Sequence, residues 1–237
     1  MTLLQHHLLA LCLTTIFSLL LGLFVWLKNP GRWLNRLFAL HSFTIAGWAI
    51  TESLATILSK TEETAMFWVR IEHMFVFFLP PLIFHLVAAL VNQKDKPTRR
   101  IIQTGYSISL LLTFVGYSPL IYAKQVQRNY LPYWIEPGPL YWVVPLFFWT
   151  YVGASLLYLR RALRETAGRK HLQLKYFLIA SLIGYLGGGT DFMLVYDLYI
   201  PWLHPYALYL VAVYKLATAY IIFNHHFINS HSPGKLP

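Results

Sequence analysis

Seven apolar stretches follow one another along the chain, near Leu4–Leu27, Leu34–Leu58, Ala65–Val91, Ile101–Ile121, Pro139–Leu159, Leu174–Val195 and Pro201–Phe223. Roughly 20 mostly apolar residues carry a helix across the hydrocarbon core of a bilayer. In that solvent every backbone polar group must be satisfied internally, so runs of this length are helical. The sequence therefore predicts an all-α fold: a polytopic membrane protein with a seven-transmembrane helix bundle over residues 1–228 and a short tail over 229–237.

The connections set a direction. Lys28, Arg32 and Arg36; Lys94, Lys96, Arg99 and Arg100; Arg160, Arg161, Arg164, Arg169, Lys170 and Lys175; and Lys235 all fall on alternate connections or the tail. Only Lys60, Lys124 and Arg128 fall on the intervening ones, while Arg70 and Lys215 lie within spans. Basic residues are retained on the cytoplasmic side. This places the C-terminus inside and, with an odd number of spans, the N-terminus outside.

Charged residues make up 12% of the chain and hydrophobic residues 57%, against about 25% charged in soluble domains. The net charge of +10 sits on loops expected to face anionic headgroups, so the lipid bilayer is the partner it implies, not nucleic acid. Cys12 is the only cysteine, which excludes an intramolecular disulfide. The first span lacks a basic n-region and a small-residue cleavage site, so it reads as a retained helix, not a signal peptide. No internal repeat of the kind common in transporters is visible.

Ionisable residues inside hydrocarbon need partners or a wet cavity. Depth along each span sorts them into two layers. Glu52, Arg70, Glu72, His73 and Asp191 form an outer polar network, with Asp197 at the mouth. Arg70 is expected to pair with Asp191 or Glu52. His41, His85 and Lys215 form an inner layer, where Lys215 either snorkels to the interface or is buried. The outer network either senses a stimulus or simply locks helices. Pro80 and Pro81 should kink the third span. Gly184 and Gly188, four apart, should let the sixth span approach a neighbour closely. Tyr133, Trp134, Tyr141, Trp142 and Trp202 cluster at the outer boundary, with Trp26 and Trp33 at the inner one. Interfacial belting accounts for them; an amphipathic ligand site at the outer mouth is a second reading.

No P-loop, no G-x-G-x-x-G after a strand and no hydrolase triad is present, so no catalytic residue is expected and the chain reads as not an enzyme. No metal site and no resident cofactor are expected. Two cofactor alternatives remain: retinal on Lys215, although Val211 and the third span depart from the microbial rhodopsin pattern, and haem between His41 and His85. A small transporter and a passive anchor are further alternatives.

Four segments carry a family resemblance. They are Asn29-Pro30-Gly31-Arg32 through Leu40 with Trp48; Phe67 to Glu72 followed by Pro80-Pro81-Leu82-Ile83-Phe84-His85; Gly138-Pro139-Leu140-Tyr141; and Leu174 to Leu178, Gly184 to Phe192, Pro201, Tyr220 and Asn224-His225-His226. In order and spacing the chain resembles the seven-transmembrane N-terminal sensory region of bacterial sensor histidine kinases. That resemblance implies a sensory module in the bacterial cytoplasmic (inner) membrane. It also implies transmission through the last helix to a kinase transmitter or a response-regulator system, and a homodimer. No phosphoacceptor helix or ATP-binding domain is visible, so the chain reads as an excised module or one that signals through a separate partner. His225 and His226 read as interfacial residues, not phosphoacceptors.

Overall fold

A computed structural model describes residues 1–225; Lys235, His226 and the tail expected over 229–237 lie outside the described residues. The long helices are α1 (Leu3–Lys28), α2 (Trp33–Leu58), α3 (Glu62–Leu90), α4 (Lys96–Val115), α5 (Val143–Arg164), α6 (Gly168–Gly188) and α8 (Tyr209–His225). Between α6 and α8 lie a short α7 (Asp191–Val195) and a 3-10 turn (Tyr206–Leu208). Helix starts are written locally. Thr2 and Gln5 form a capping box on α1, and Thr61 and Thr64 form one on α3. Asp95 caps α4 by accepting from the Thr98 amide and, at 2.6 Å, from its hydroxyl. These bonds, the hydroxyl's first, hold the Asp95 carboxyl below the usual carboxylate range.

α1 packs on α2, α2 on α3, α3 on both α4 and α5, and α5 on α6, and α8 returns to α6 and α1, closing the bundle. Its polarity runs inward. In α1, His7, Thr14 and Ser18 are buried, while Ile16, Leu19, Leu20, Leu23 and Leu27 are exposed. Leu111, Phe114, Leu146, Leu157 and Leu186 are likewise more than half exposed. Water would oppose such an arrangement, whereas lipid tails solvate the outer leucines and leave packing and interhelical hydrogen bonds to hold the interior.

Four stretches are long and apolar enough to cross a membrane on composition: Leu3–Lys28, Glu62–Leu90, Val143–Arg164 and Gly168–Val195, with a shorter apolar helix at Tyr206–Ile222. α2 and α4 fall outside that set for visible reasons. α2 buries Asn35, His41, Ser42, Thr44, Thr51 and Glu52 in the interior, and α4 begins on Lys96, Arg99 and Arg100.

Three expectations change in detail. The all-α expectation gives way between the fourth and fifth spans, where residues 122–138 contain an antiparallel hairpin, β1 (Tyr122–Arg128) and β2 (Leu131–Pro137), turned through Asn129 at a φ of 55°; Pro132 and Pro137 obscure its alternation. The sixth span breaks after Gly188, where Thr190 Oγ1 donates to the Gly187 carbonyl at 2.7 Å. The last helix begins at Tyr209, not Pro201, because Pro201 to Pro205 form turns. α3 stays helical through Pro80 and Pro81. Pro81 cannot donate to the carbonyl of Phe77, four residues back, and Ser109 Oγ of α4 donates to that carbonyl at 2.6 Å.

Candidate functional site: an acidic cavity under the hairpin

A cavity opens in the half of the bundle that carries the hairpin. Its volume is about 70 Å³, several times what one water needs. Ile45 and Trp48 of α2, Val76 and Leu79 of α3, Phe148 of α5 and Val211 of α8 form its apolar walls. Trp134 and Ile135 of β2 and Tyr141 border it on the hairpin side. Tyr185, Tyr214 and Gly188 border it where α6 meets α8. Glu72, His73 and Asp191 are its ionisable lining.

Helical phase explains who faces in. Val69, Glu72, His73 and Val76 follow a three-to-four-residue spacing and all four are buried. Arg70 is two residues from Glu72, about 200° around the axis at 3.6 residues per turn. It therefore points away. Its guanidinium donates to the Tyr117 carbonyl at 3.2 Å and lies 5.4 Å from the centre of the Tyr117 ring. The expected pairing of Arg70 with Asp191 or Glu52 does not occur among the described residues. Glu52 instead has its Oε1 2.8 Å from His7 Nε2 of α1, both side chains being essentially fully buried. Glu72, His73 and Asp191 line one cavity, whereas Glu52 is paired with His7 and is not in that lining. The expected outer layer is thus divided, with three members at the cavity, Glu52 on His7, and Arg70 turned to Tyr117.

Glu72 is 5% exposed and accepts no hydrogen bond among the described residues. Its nearest ionic neighbour, His73 Nδ1, is 3.9 Å away and sits 3.0 Å from the Val69 carbonyl. Asp191 is half-buried, and its Oδ2 has no partner among the described residues. His204 steadies the segment that carries Asp191: Nδ1 accepts from the Ile200 amide at 3.1 Å and Nε2 lies 3.2 Å from the Thr190 carbonyl.

The inner layer divides. His41 Nε2 is 2.6 Å from the Tyr185 hydroxyl, and Lys215 Nζ donates to Ser42 Oγ at 3.1 Å with the Tyr214 and Phe38 rings 5.1 and 5.8 Å away. Lys215 is 1% exposed, so it is buried and does not snorkel. His85 belongs elsewhere: it is half-buried, with Nδ1 3.1 Å from the Tyr106 hydroxyl of α4 and its ring beside Trp33. Gly184 holds α6 against α8 here. A Cβ on it would lie 2.5 Å from that of Tyr214, so only glycine allows the approach. A Cβ on Gly188 would have ordinary room, 3.4 Å from Val211 Cγ2, and Gly188 borders the cavity.

The hairpin is tied down on several sides. Glu62 of α3 accepts from the Gln125 amide at 3.1 Å, and the Tyr133 hydroxyl donates to the Lys60 carbonyl at 3.0 Å. Arg128, 9% exposed, pairs with Glu136 across the hairpin and lies 3.5 Å from Asp197. The Tyr130 hydroxyl is 3.4 Å from His7 Nδ1, and burial pushes that phenol up. The hairpin thus touches the same histidine that holds Glu52.

His7 has no part in the sequence reading, yet an ionisable residue near the start of the first span was visible there. The roles of Tyr185, Tyr214 and Ser42 carried no comparable signal, since hydroxyl residues are common in membrane helices.

Comparison with known proteins finds no curated protein that matches the chain. A family profile described as the N-terminal 7TM region of histidine kinase matches residues 10–231. That match covers nearly the whole chain and agrees with seven long helices whose apolar side chains face outward. The chain is thus a multi-pass membrane protein belonging to the family of N-terminal seven-transmembrane regions of histidine kinases.

Proposed function

We propose that this bundle is the input module of a two-component-type signalling system in a bacterial cytoplasmic membrane. The N-terminus faces outward, the C-terminal end of α8 faces the cytoplasm, and a kinase transmitter or separate signalling partner reads that end. A second copy of the chain is the neighbour expected from the family. The stimulus acts at the cavity beneath the hairpin. One observation carries this reading: an ionisable cavity in the half away from most of the basic loops shares Tyr185 and Tyr214 with the layer that seats α8. A ligand moves such an equilibrium only by binding two packings unequally.

The test grafts residues 1–230 onto a kinase transmitter and follows autophosphorylation, with a reporter behind the bundle to establish sidedness. The proposal expects a cytoplasmic reporter and kinase output that responds to substitutions lining the cavity. A periplasmic reporter, or output indifferent to every bundle substitution in a correctly inserted graft, would overturn it.

A second reading, a chromophore protein, is favoured by one observation, the burial of Lys215 on the last helix. An absorbance spectrum of the purified chain separates the two readings. A visible band lost on Lys215→Ala supports a retinal Schiff base; a featureless visible region removes it.

A further inference from the structure

Glu72 presents an unanswered requirement. Its carboxylate is buried, borders a cavity and meets no donor among the described residues. Asp191 Oδ2 in the same lining is likewise without a partner among the described residues. Buried carboxylates are tolerated when an opposite charge or a set of donors answers them. Among the described residues no lysine or arginine lines this cavity. Arg70 is turned to Tyr117, Arg128 to Glu136 and Asp197, and Lys215 to Ser42. His7 is engaged by Glu52.

A bare metal ion does not suit the site, because no three His, Cys, Asp or Glu side chains among the described residues converge tightly enough to hold one. The other walls point to an organic body. Trp48, Tyr141, Phe148 and Tyr185 present aromatic surface, and Val76 and Val211 present aliphatic surface. Aromatic faces attract ammonium groups, most strongly when water is excluded. Apolar walls with a few convergent polar groups are the usual make-up of a small-molecule site.

Building on the reading of this cavity as the stimulus site, we propose that it binds a small organic cation. The ammonium head sits at Glu72 and Asp191, and the apolar body lies against Trp48, Phe148 and Val211. Charge-assisted hydrogen bonds to the carboxylates fix the head, while the walls accept a range of hydrocarbon or aromatic bodies.

The experiment uses the full chain in zwitterionic lipid nanodiscs, with phenylbutylammonium as the probe. Phenylbutanol and phenylbutyrate serve as neutral and anionic analogues of similar shape. Tryptophan fluorescence reports binding, because Trp48 and Trp134 both border the cavity, and empty nanodiscs correct for partition into lipid. Saturable binding of the cation at least about tenfold tighter than the alcohol is expected, with a loss of about tenfold or more in Glu72→Gln and in Asp191→Asn. Should Glu72→Gln fail to fold by circular dichroism, Asp191→Asn decides. Equal affinity for alcohol and cation, no saturable cation binding, or folded variants that bind as the parent does would each overturn the assignment. The sensory reading stands or falls separately. Cation binding that leaves a grafted kinase indifferent keeps the site and removes its signalling role. A kinase that answers to cavity substitutions without cation binding does the reverse.

Discussion

At the end carrying most of the basic loops, the bundle is filled. Leu21, Val25, Phe38, Val87, Leu159 and Phe177 belong to one buried cluster there, and Asn35 Nδ2 donates to the Val25 carbonyl at 3.0 Å. At the hairpin end, Phe77, Tyr122, Trp134, Tyr141 and Tyr151 form a more aromatic cluster, and beside it lies a cavity with acidic groups in its wall. Both regions bury polar side chains, but the first meets the Asn35 amide nitrogen from the backbone, leaving only its uncharged Oδ1 without a partner among the described residues, whereas the second leaves the Glu72 carboxylate unanswered. A group kept without a partner contributes little to the packed state and remains available to something that enters. Natural proteins commonly trade stability for function at such positions.

Substitutions can break that contrast. The largest loss is expected from His7→Ala, which strands Glu52 in the interior; about 3 kcal/mol is the scale for removing one member of a buried pair. Thermal unfolding in nanodiscs would show it, and an unchanged midpoint would mean the His7–Glu52 contact holds nothing. Gly184→Ala comes next, at about 1–3 kcal/mol, the range for forcing atoms into a filled interface. Its Cβ would meet that of Tyr214 at 2.5 Å, and a stability equal to the parent would refute the close approach of α6 and α8. Tyr185→Phe removes one hydroxyl from His41 and should cost about 1 kcal/mol in the same assay. The smallest loss belongs to Glu72→Gln. It removes a buried carboxylate that nothing answers and loses no hydrogen bond, so the unfolding midpoint should stand at or above the parent's; a large destabilisation would show that Glu72 has a structural partner after all.

Much of the fold was legible in the sequence because hydrocarbon leaves a chain so few choices. Seven long helices follow from the apolar runs, and the depth of each ionisable residue from its position along a span. Azimuth was less legible. Depth alone grouped Arg70 with Glu72, yet their two-residue offset sends them to opposite sides of α3, and the nearness of His85 in depth to Lys215 likewise concealed a different face. His7 escaped because its partner lies on another helix, 45 positions along. The hairpin escaped because two short strands interrupted by proline look like an irregular loop. Pro80 and Pro81 were visible, but the capture of the Phe77 carbonyl by Ser109 depends on how α4 is seated beside α3. Residue type and depth were therefore readable one helix at a time, whereas the cavity is a property of six helices and a strand together.

Signalling through this bundle requires that the space under the hairpin govern the end of α8. The direct measurement is basal autophosphorylation of a kinase graft carrying Gly188→Phe, which puts a ring where the cavity wall has room, beside Leu20→Phe on the lipid-facing surface. A several-fold change in output for Gly188→Phe, with Leu20→Phe matching the parent, is the predicted result. Equal output from all three correctly inserted grafts would contradict it.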